Sequence, residues 1–296
     1  MPRLLSIFLI VMIMALPQAA SAAYNEKELR IGLLPELNVF TQMNRFKPLA
    51  DYLTKKVGVD IKLTMLSRYG NIIESLKKQE VDAAFLGSFT GAFAITQLGV
   101  EPLARPVNLD GTSTYTGLLF VRKDSGITKV ADMKGKTLVL VEKATTAGYV
   151  FPIAYFIKFG IADSSTYFKR KYFAGSHDAA IDAVLNHRAD VGAAKNTVYE
   201  RMRGKSPRID KELEILATSD PVPSNGLCVL PQMNAGLKKR LKETLLAMQG
   251  DPEAQEVLKR FEALRFVDTG IKDYKPVYDM VQEAGIVLKD YKYTNP

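Results

Sequence analysis

VEKATTAGYVFP (Val141–Pro152) joins two kinds of sequence. Before it, Thr137–Val141 is a short apolar run with the character of a buried strand. After it begins, Val150, Ile153, Ala154 and Ile157 recur at the spacing of one helix face. Two hydroxyls, an alanine and a glycine stand between. A strand that hands over to a helix through such a loop belongs to an α/β chain. The handover also carries a chemical question. Hydroxyl residues cap helices, and a helix start with free N–H groups is an anion site. The two are compatible, because one hydroxyl can cap while free N–H groups meet a ligand. Pro152 cannot donate an i−4 bond, so the first turn is expected to be irregular or the helix to start late. Either case leaves free backbone groups near Thr146–Gly148.

Outward from this stretch the alternation repeats. ELRIGLLP (Glu28–Pro35) reads as a buried strand and NRFKPLADYLTKKVG (Asn44–Gly58) as an amphipathic helix, with Phe46, Leu49, Ala50 and Leu53 on one face. VDIKLTML, VDAAFLG and EPLARPVNL read as further strands, with short helices in YGNIIESLKKQE and FTGAFAITQLG. Such alternation implies a mostly parallel sheet with helices on its faces. Ligands then sit outside the carboxyl ends of the strands. The loops of interest are Pro35–Asn38, Ser67–Tyr69 and Gly87–Thr90.

TYTGLLFVRKDSG (Thr114–Gly126) reads as one long strand crossing into a second lobe. Residues 167–202 give strand, helix, strand, helix. LEILATSDPVPSNGLCVLP (Leu213–Pro231) gives two strands around a proline-rich loop, the return crossing. The tail from Asn234 reads as helical and amphipathic, packing back on the first lobe. The expected architecture is therefore two α/β lobes joined by two crossings. Residues 24–114 plus 226–296 form the first lobe and 115–225 the second. A cleft between such lobes is a natural small-ligand site.

The N-terminus supplies an address. Met1–Arg3 is a short positive segment, Leu4–Leu16 an apolar run broken only by Ser6, and Ala20-Ser21-Ala22 a small-x-small cleavage signal. Residues 1–22 are expected to be a removed signal peptide, which places the mature chain in the periplasm. About 270 residues then remain, more than one typical core. The formal charge of +8 is scattered among acidic residues, with no basic run interleaved with aromatics. Nucleic acid is therefore not expected as a partner. A mild positive field favours small anions.

The strand-to-helix loops carry Tyr69, Ser88, Thr90, Tyr115, Thr145, Thr146, Ser176, His177, Asn196 and Thr197. Nearly all can donate hydrogen bonds, and few carboxylates stand among them, which suits a tetrahedral oxyanion. Each also has a plainer reading. Thr145, Thr146 and Ser176 can be helix caps, His177 a buried structural histidine, and Tyr69 and Tyr115 core or rim aromatics. A micromolar ligand needs roughly 8 kcal/mol. Four to six hydrogen bonds to a charged group, at about 1.5–3 kcal/mol each, cover this after association costs. No metal or cofactor is required, and one cysteine with two histidines leaves no Cys/His metal cluster. Cys228 reads as a core residue. Ser176, His177 and Asp178 are consecutive, the wrong arrangement for a triad, and no GxSxG, Walker loop or HExxH occurs. An enzyme is not expected.

From about Leu29 to about Tyr278 the chain resembles the PhnD-like phosphonate, phosphite and phosphate-binding periplasmic proteins of ABC transporters. The segments that carry the resemblance are RFKPLADYLTKKVG, VDAAFLG, TYTGLLFVRKDSGI, DMKGKTLVLVEKATTAGYVFP, GSHDAAIDAVLNHRADVGAAKN and FEALRF. The resemblance implies a type II periplasmic-binding-protein fold that closes on its ligand. It also implies that Tyr69, Tyr115, Thr145, Thr146 and His177 grip phosphorus-bound oxygens. Ser88 and Asn196 join them as loop donors. The third hydroxyl of the family's helix start is Ala147 here. The acidic residues that hold the amino group of aminoethylphosphonate are not evident in DVGAAKNTVYE, where Lys195 and Asn196 stand and Glu200 lies a helical turn away. Phosphate, phosphite or an alkylphosphonate is favoured, delivered by a monomer to an inner-membrane permease. Lys195 is read as solvated or in contact with an anionic group. A second reading keeps the fold but makes it a sensing module for a membrane receptor or kinase.

Overall fold

The computed structural model describes residues 27–293. The expected signal segment lies outside the described residues. In chain order the first part holds β1 (Glu28–Leu33), α1 (Val39–Val57), β2 (Asp60–Met65), α2 (Asn71–Lys77), β3 (Ala83–Leu86), α3 (Ser88–Leu98) and β4 (Glu101–Val107). Next come β5 (Thr114–Tyr115), β6 (Gly117–Arg122), β7 (Thr137–Leu140), α4 (Phe151–Lys158), α5 (Ser164–Tyr167), β8 (Arg170–Phe173), α6 (His177–Leu185), β9 (Val191–Lys195), α7 (Asn196–Arg203), α8 (Pro207–Glu212) and β10 (Leu213–Thr218). The chain ends with β11 (Val222–Pro223), β12 (Gly226–Val229), α9 (Ala235–Ala247), α10 (Gln255–Phe261), β13 (Arg265–Asp268) and α11 (Lys275–Glu283). No helix among the described residues is long and apolar enough to cross a membrane.

The strands form two sheets. One has the order β13-β4-β12-β3-β1-β2, the other β10-β6-β9-β7-β8. In the first, β1 runs parallel to β2 and β3, while β12 returns antiparallel between β3 and β4. In the second, β7 runs parallel to β8 and β9, and β6 is antiparallel to β9 and β10. Each sheet is the centre of one α/β lobe. The short antiparallel pair β5–β11 belongs to neither and joins them, with Tyr115 opposite Val222.

The lobe cores follow from the apolar faces. Phe46 of α1 meets Phe85 of β3 and Phe261 of α10 edge-on, at 5.1 and 5.0 Å between ring centroids. Helix α1 begins at Val39, five residues before the sequence pattern suggests, because Asn38 caps it through the Thr41 N–H at 3.1 Å. Val39 and Phe40 are exposed, so the first turn shows no core-facing pattern.

Three expectations are corrected. The long strand over 114–126 breaks at Thr116 and ends at Arg122. There the Thr116 N–H turns aside to donate to Asn196 Oδ1 at 3.0 Å. The tail is not wholly helical, because β13 adds an edge strand to the first sheet. The end of the tail also does more than return to the first lobe, since α11 packs against both α3 and α4 and so touches both lobes.

The stretch at Val141–Pro152 forms a turn of π-helix over Thr146–Val150 before α4. Val150 N–H bonds to Thr145 C=O at 3.1 Å, and the Gly148 carbonyl accepts from Val141 N–H at 3.1 Å. The wide turn accommodates Pro152, which cannot supply the regular bond. Gly148 is required sterically, since a Cβ there would lie 2.4 Å from the Val141 Cβ.

Candidate functional site

The facing strand ends of the two lobes meet in a buried polar cluster. Tyr69, Ser88, Tyr115, Thr145, Thr146 and His177 are each 4% exposed or less. Tyr69 and His177 face each other edge-on, their ring centroids 6.3 Å apart. Lys195, at the end of β9, links His177 to Tyr115. Its backbone N–H donates to His177 Nδ1 at 3.1 Å, and its ammonium lies 4.2 Å from the Tyr115 ring centroid.

These contacts fix protonation states. His177 Nδ1 accepts a hydrogen bond, so the neutral ring carries its proton on Nε2 and can donate there. Burial lowers the His177 pKa to about 4 and keeps the ring neutral, despite the opposing pull of Glu36. The Tyr69 phenol is pushed well above its ordinary value, first by burial and then by Glu36 and Glu142. It remains an O–H donor at neutral pH. Its oxygen is buried and has no hydrogen-bond partner among the described residues. Burial also raises Tyr115, although the Ser88 and Thr146 hydroxyls beside it work the other way.

The hydroxyls themselves divide. Thr146 Oγ1 accepts from the Phe89 N–H at 2.8 Å, across the lobe boundary, at the start of α3. Ser88 Oγ donates to the Pro223 carbonyl of β11 at 2.6 Å. Thr145 Oγ1 donates backward to the Glu142 carbonyl at 2.6 Å, so neither threonine caps the helix that follows. Ser176 is the hydroxyl that caps a helix here, through Ala179 N–H at 3.4 Å. Asn196 is not part of the buried cluster. It holds the break between β5 and β6 and lines a neighbouring chamber.

Three further residues complete the arrangement. Lys195 is buried and reaches across the cleft to Glu36 Oε1 at 3.0 Å and to Asn225 Oδ1 at 3.0 Å. Burial alone would raise the Glu36 pKa, but Lys195, with His177 and Arg45 behind it, outweighs it and holds the carboxyl at about 2. Burial lowers the Lys195 pKa, with Glu36 opposing. Lys195 is therefore not a solvated lysine. The sequence does carry a signal for this: Lys195 closes VGAAK, a strand buried at every position. Glu36 sits in the Pro35–Asn38 loop that the strand pattern singles out. It escapes a search for donors because it is an acceptor. Beside the ion pair opens a chamber of 470 Å³, lined by residues of both lobes including Arg45, Phe46, Asn196, Arg201 and Phe261.

Such a cluster of neutral donors, with a buried lysine whose charge is shared with Glu36, can hold a compact anion and exclude water from it. Among the described residues no group of His, Cys, Asp and Glu side chains could hold a metal ion.

The chain's likenesses agree with this architecture. It is 26% identical over 246 residues to the phosphonates-binding periplasmic protein of Escherichia coli K12, covering 81% of this chain and 72% of that protein. A solved structure of a binding-protein component of an ABC phosphonate transporter from Pseudomonas aeruginosa superposes with a TM-score of 0.81 at 22% identity. The match covers 88% of this chain and 87% of that one. The structure of PhnD1 from Prochlorococcus marinus in complex with methylphosphonate gives 0.79 at 20% identity, covering 89% of this chain and 100% of that one. Residues 31–274 match the family described as the periplasmic substrate-binding protein of ABC phosphonate transporters, and the chain belongs to that family.

Proposed function

We propose that this protein captures a small phosphorus oxyanion, namely phosphate, phosphite or an alkylphosphonate, in the cleft between its lobes and delivers it to an ABC permease. The observation that carries the reading is the Tyr69 hydroxyl, buried without a partner beside the neutral His177 ring. A buried donor left unsatisfied costs about 1–3 kcal/mol, and an arriving oxyanion removes that penalty. The lobes are assigned as 24–114 plus 226–296 and 115–225, a division supported by the membership of the two sheets. Tyr69, Tyr115, Thr146 and His177 are assigned to the anion, with Ser88, Thr145 and Asn196 shaping the loops that present them. Lys195 supplies the positive charge. The reading is one of binding without turnover, in the periplasm, after removal of residues 1–22.

Isothermal titration of the mature chain with phosphate, phosphite, methylphosphonate, aminoethylphosphonate and sulfate tests this. Micromolar or tighter binding of at least one phosphorus oxyanion, with sulfate much weaker, is expected. Binding of sulfate alone, or of none of the five, would sink it.

A further inference from the structure

The 470 Å³ chamber beside the Lys195–Glu36 pair is far larger than a methyl group needs and lies in the range of small-molecule pockets. Its charges are not evenly committed. Each carboxylate on its wall already has partners. Glu36 bonds to Lys195 at 3.0 Å, Glu262 to Arg201 at 2.5 Å and Glu200 to Arg203 at 2.6 Å. Asp110 accepts from the Thr112 N–H and hydroxyl at 2.9 and 2.8 Å.

Arg45 differs. Among the described residues its guanidinium makes one hydrogen bond, from Nε to the Phe261 carbonyl at 2.7 Å, and no ion pair. Its plane is held over the Phe261 and Phe46 rings, 4.7 and 5.6 Å from their centroids. The stacking fixes the group while leaving its terminal nitrogens uncommitted. Burial, and then the charge of Arg201, pull its pKa down to about 10, against the opposing charges of Glu36 and Glu262.

We propose that the chamber receives the substituent of the bound phosphorus compound, and that Arg45 selects substituents ending in a second anionic group, a carboxylate or a phosphoryl. This rests on the oxyanion reading and deepens it. An amino-terminated substituent would have to compete for Glu36 and Glu262, which are already ion-paired, or reach the exposed Asp110, which among the described residues accepts only from Thr112. A carboxylate at the far end would meet the Arg45 nitrogens in the forked geometry that guanidinium favours.

The test is titration of the mature protein with phosphonoacetate, methylphosphonate and aminoethylphosphonate. The wild type is expected to bind phosphonoacetate at least about tenfold more tightly than either of the others, one well-made charged hydrogen bond being enough for that factor. In Arg45→Met the ratio of phosphonoacetate to methylphosphonate affinity should fall close to one. In Arg45→Lys part of it should persist. Wild-type binding of phosphonoacetate no tighter than methylphosphonate overturns the inference and leaves the oxyanion reading standing. A ratio unmoved by Arg45→Met does the same. Binding of none of the three overturns this inference, and the oxyanion reading falls with it when phosphate and phosphite also fail to bind. Should Arg45→Met fail to fold, the wild-type ranking and Arg45→Lys decide.

Discussion

The hydroxyl of Thr146, in the second lobe, accepts a 2.8 Å hydrogen bond from the backbone N–H of Phe89, in the first. The bond is buried and joins the start of one helix to the turn that opens another. Thr146→Ala removes the acceptor and leaves that donor unsatisfied. The variant is expected to lose about 1 kcal/mol of stability and to bind oxyanion about tenfold more weakly. Thr146→Ser should keep both. Urea denaturation and titration calorimetry on the two variants check this. An alanine variant matching the wild type in both would detach Thr146 from ligand capture.

Tyr69→Phe separates binding from folding more sharply. The ring stays packed against His177 while the unpartnered hydroxyl disappears. Ligand-free stability should hold or rise by up to about 1 kcal/mol, while oxyanion affinity falls by about tenfold or more. A drop in stability with affinity intact would show that the hydroxyl has a structural partner instead.

The sequence shows one half of this site better than the other. Tyr69, Tyr115, Thr146 and His177 stand where a strand hands over to a helix or crossing, and local pattern alone singles such places out. The ion pair of Glu36 with Lys195 joins residues 159 apart in the chain. No periodicity records such a pairing: the run VGAA hints that Lys195 is buried, but nothing in the sequence names Glu36 as its partner. β13 was hidden for a related reason. Its four residues alternate weakly, and they become a strand only because β4 offers an open edge. The irregular turn after Thr145 was legible, since Pro152 forces it. That Thr145 bonds backward and caps nothing was not, because the choice depends on where Glu142 places its carbonyl.

The neutral state of His177 gives a pH signature. Its folded pKa of about 4 lies below the ordinary 6.5, so the unfolded chain binds the extra proton first on acidification. Stability from this group is therefore lost as pH falls from 6.5 to 4, by at most about 3 kcal/mol. Glu142 acts the other way. Burial raises it to about 7, so its contribution is full below 4.5 and is lost as pH rises through 7. The informative quantity is the difference between wild type and His177→Asn, whose amide oxygen can still accept from Lys195 N–H. Denaturant midpoints from pH 7 to 4 should fall less steeply in the variant. Parallel curves would mean that His177 titrates normally.

Breaking the buried ion pair should be costly. Lys195→Met strands Glu36 without its cation, a loss of about 3 kcal/mol or more, and should raise the Glu36 pKa from about 2. The double variant Glu36→Gln with Lys195→Met is expected to recover most of that stability and to lose oxyanion affinity. A double variant no more stable than the single one would show that packing, and not charge, dominates there.

Tyr115 occupies β5, opposite Val222 of β11, and also forms one wall of the polar cluster under the Lys195 ammonium. On the proposed function, the pivot and the jaw are thus the same residue. Any rotation of one lobe against the other must swing this ring, and any ligand that wedges the ring must load the pivot. In that reading, a gripping residue mounted on its own axle would work like the trigger of a spring trap. The angle of closure would be set by the size of what is caught, and a permease touching both lobes could sense from that angle whether the cleft is filled.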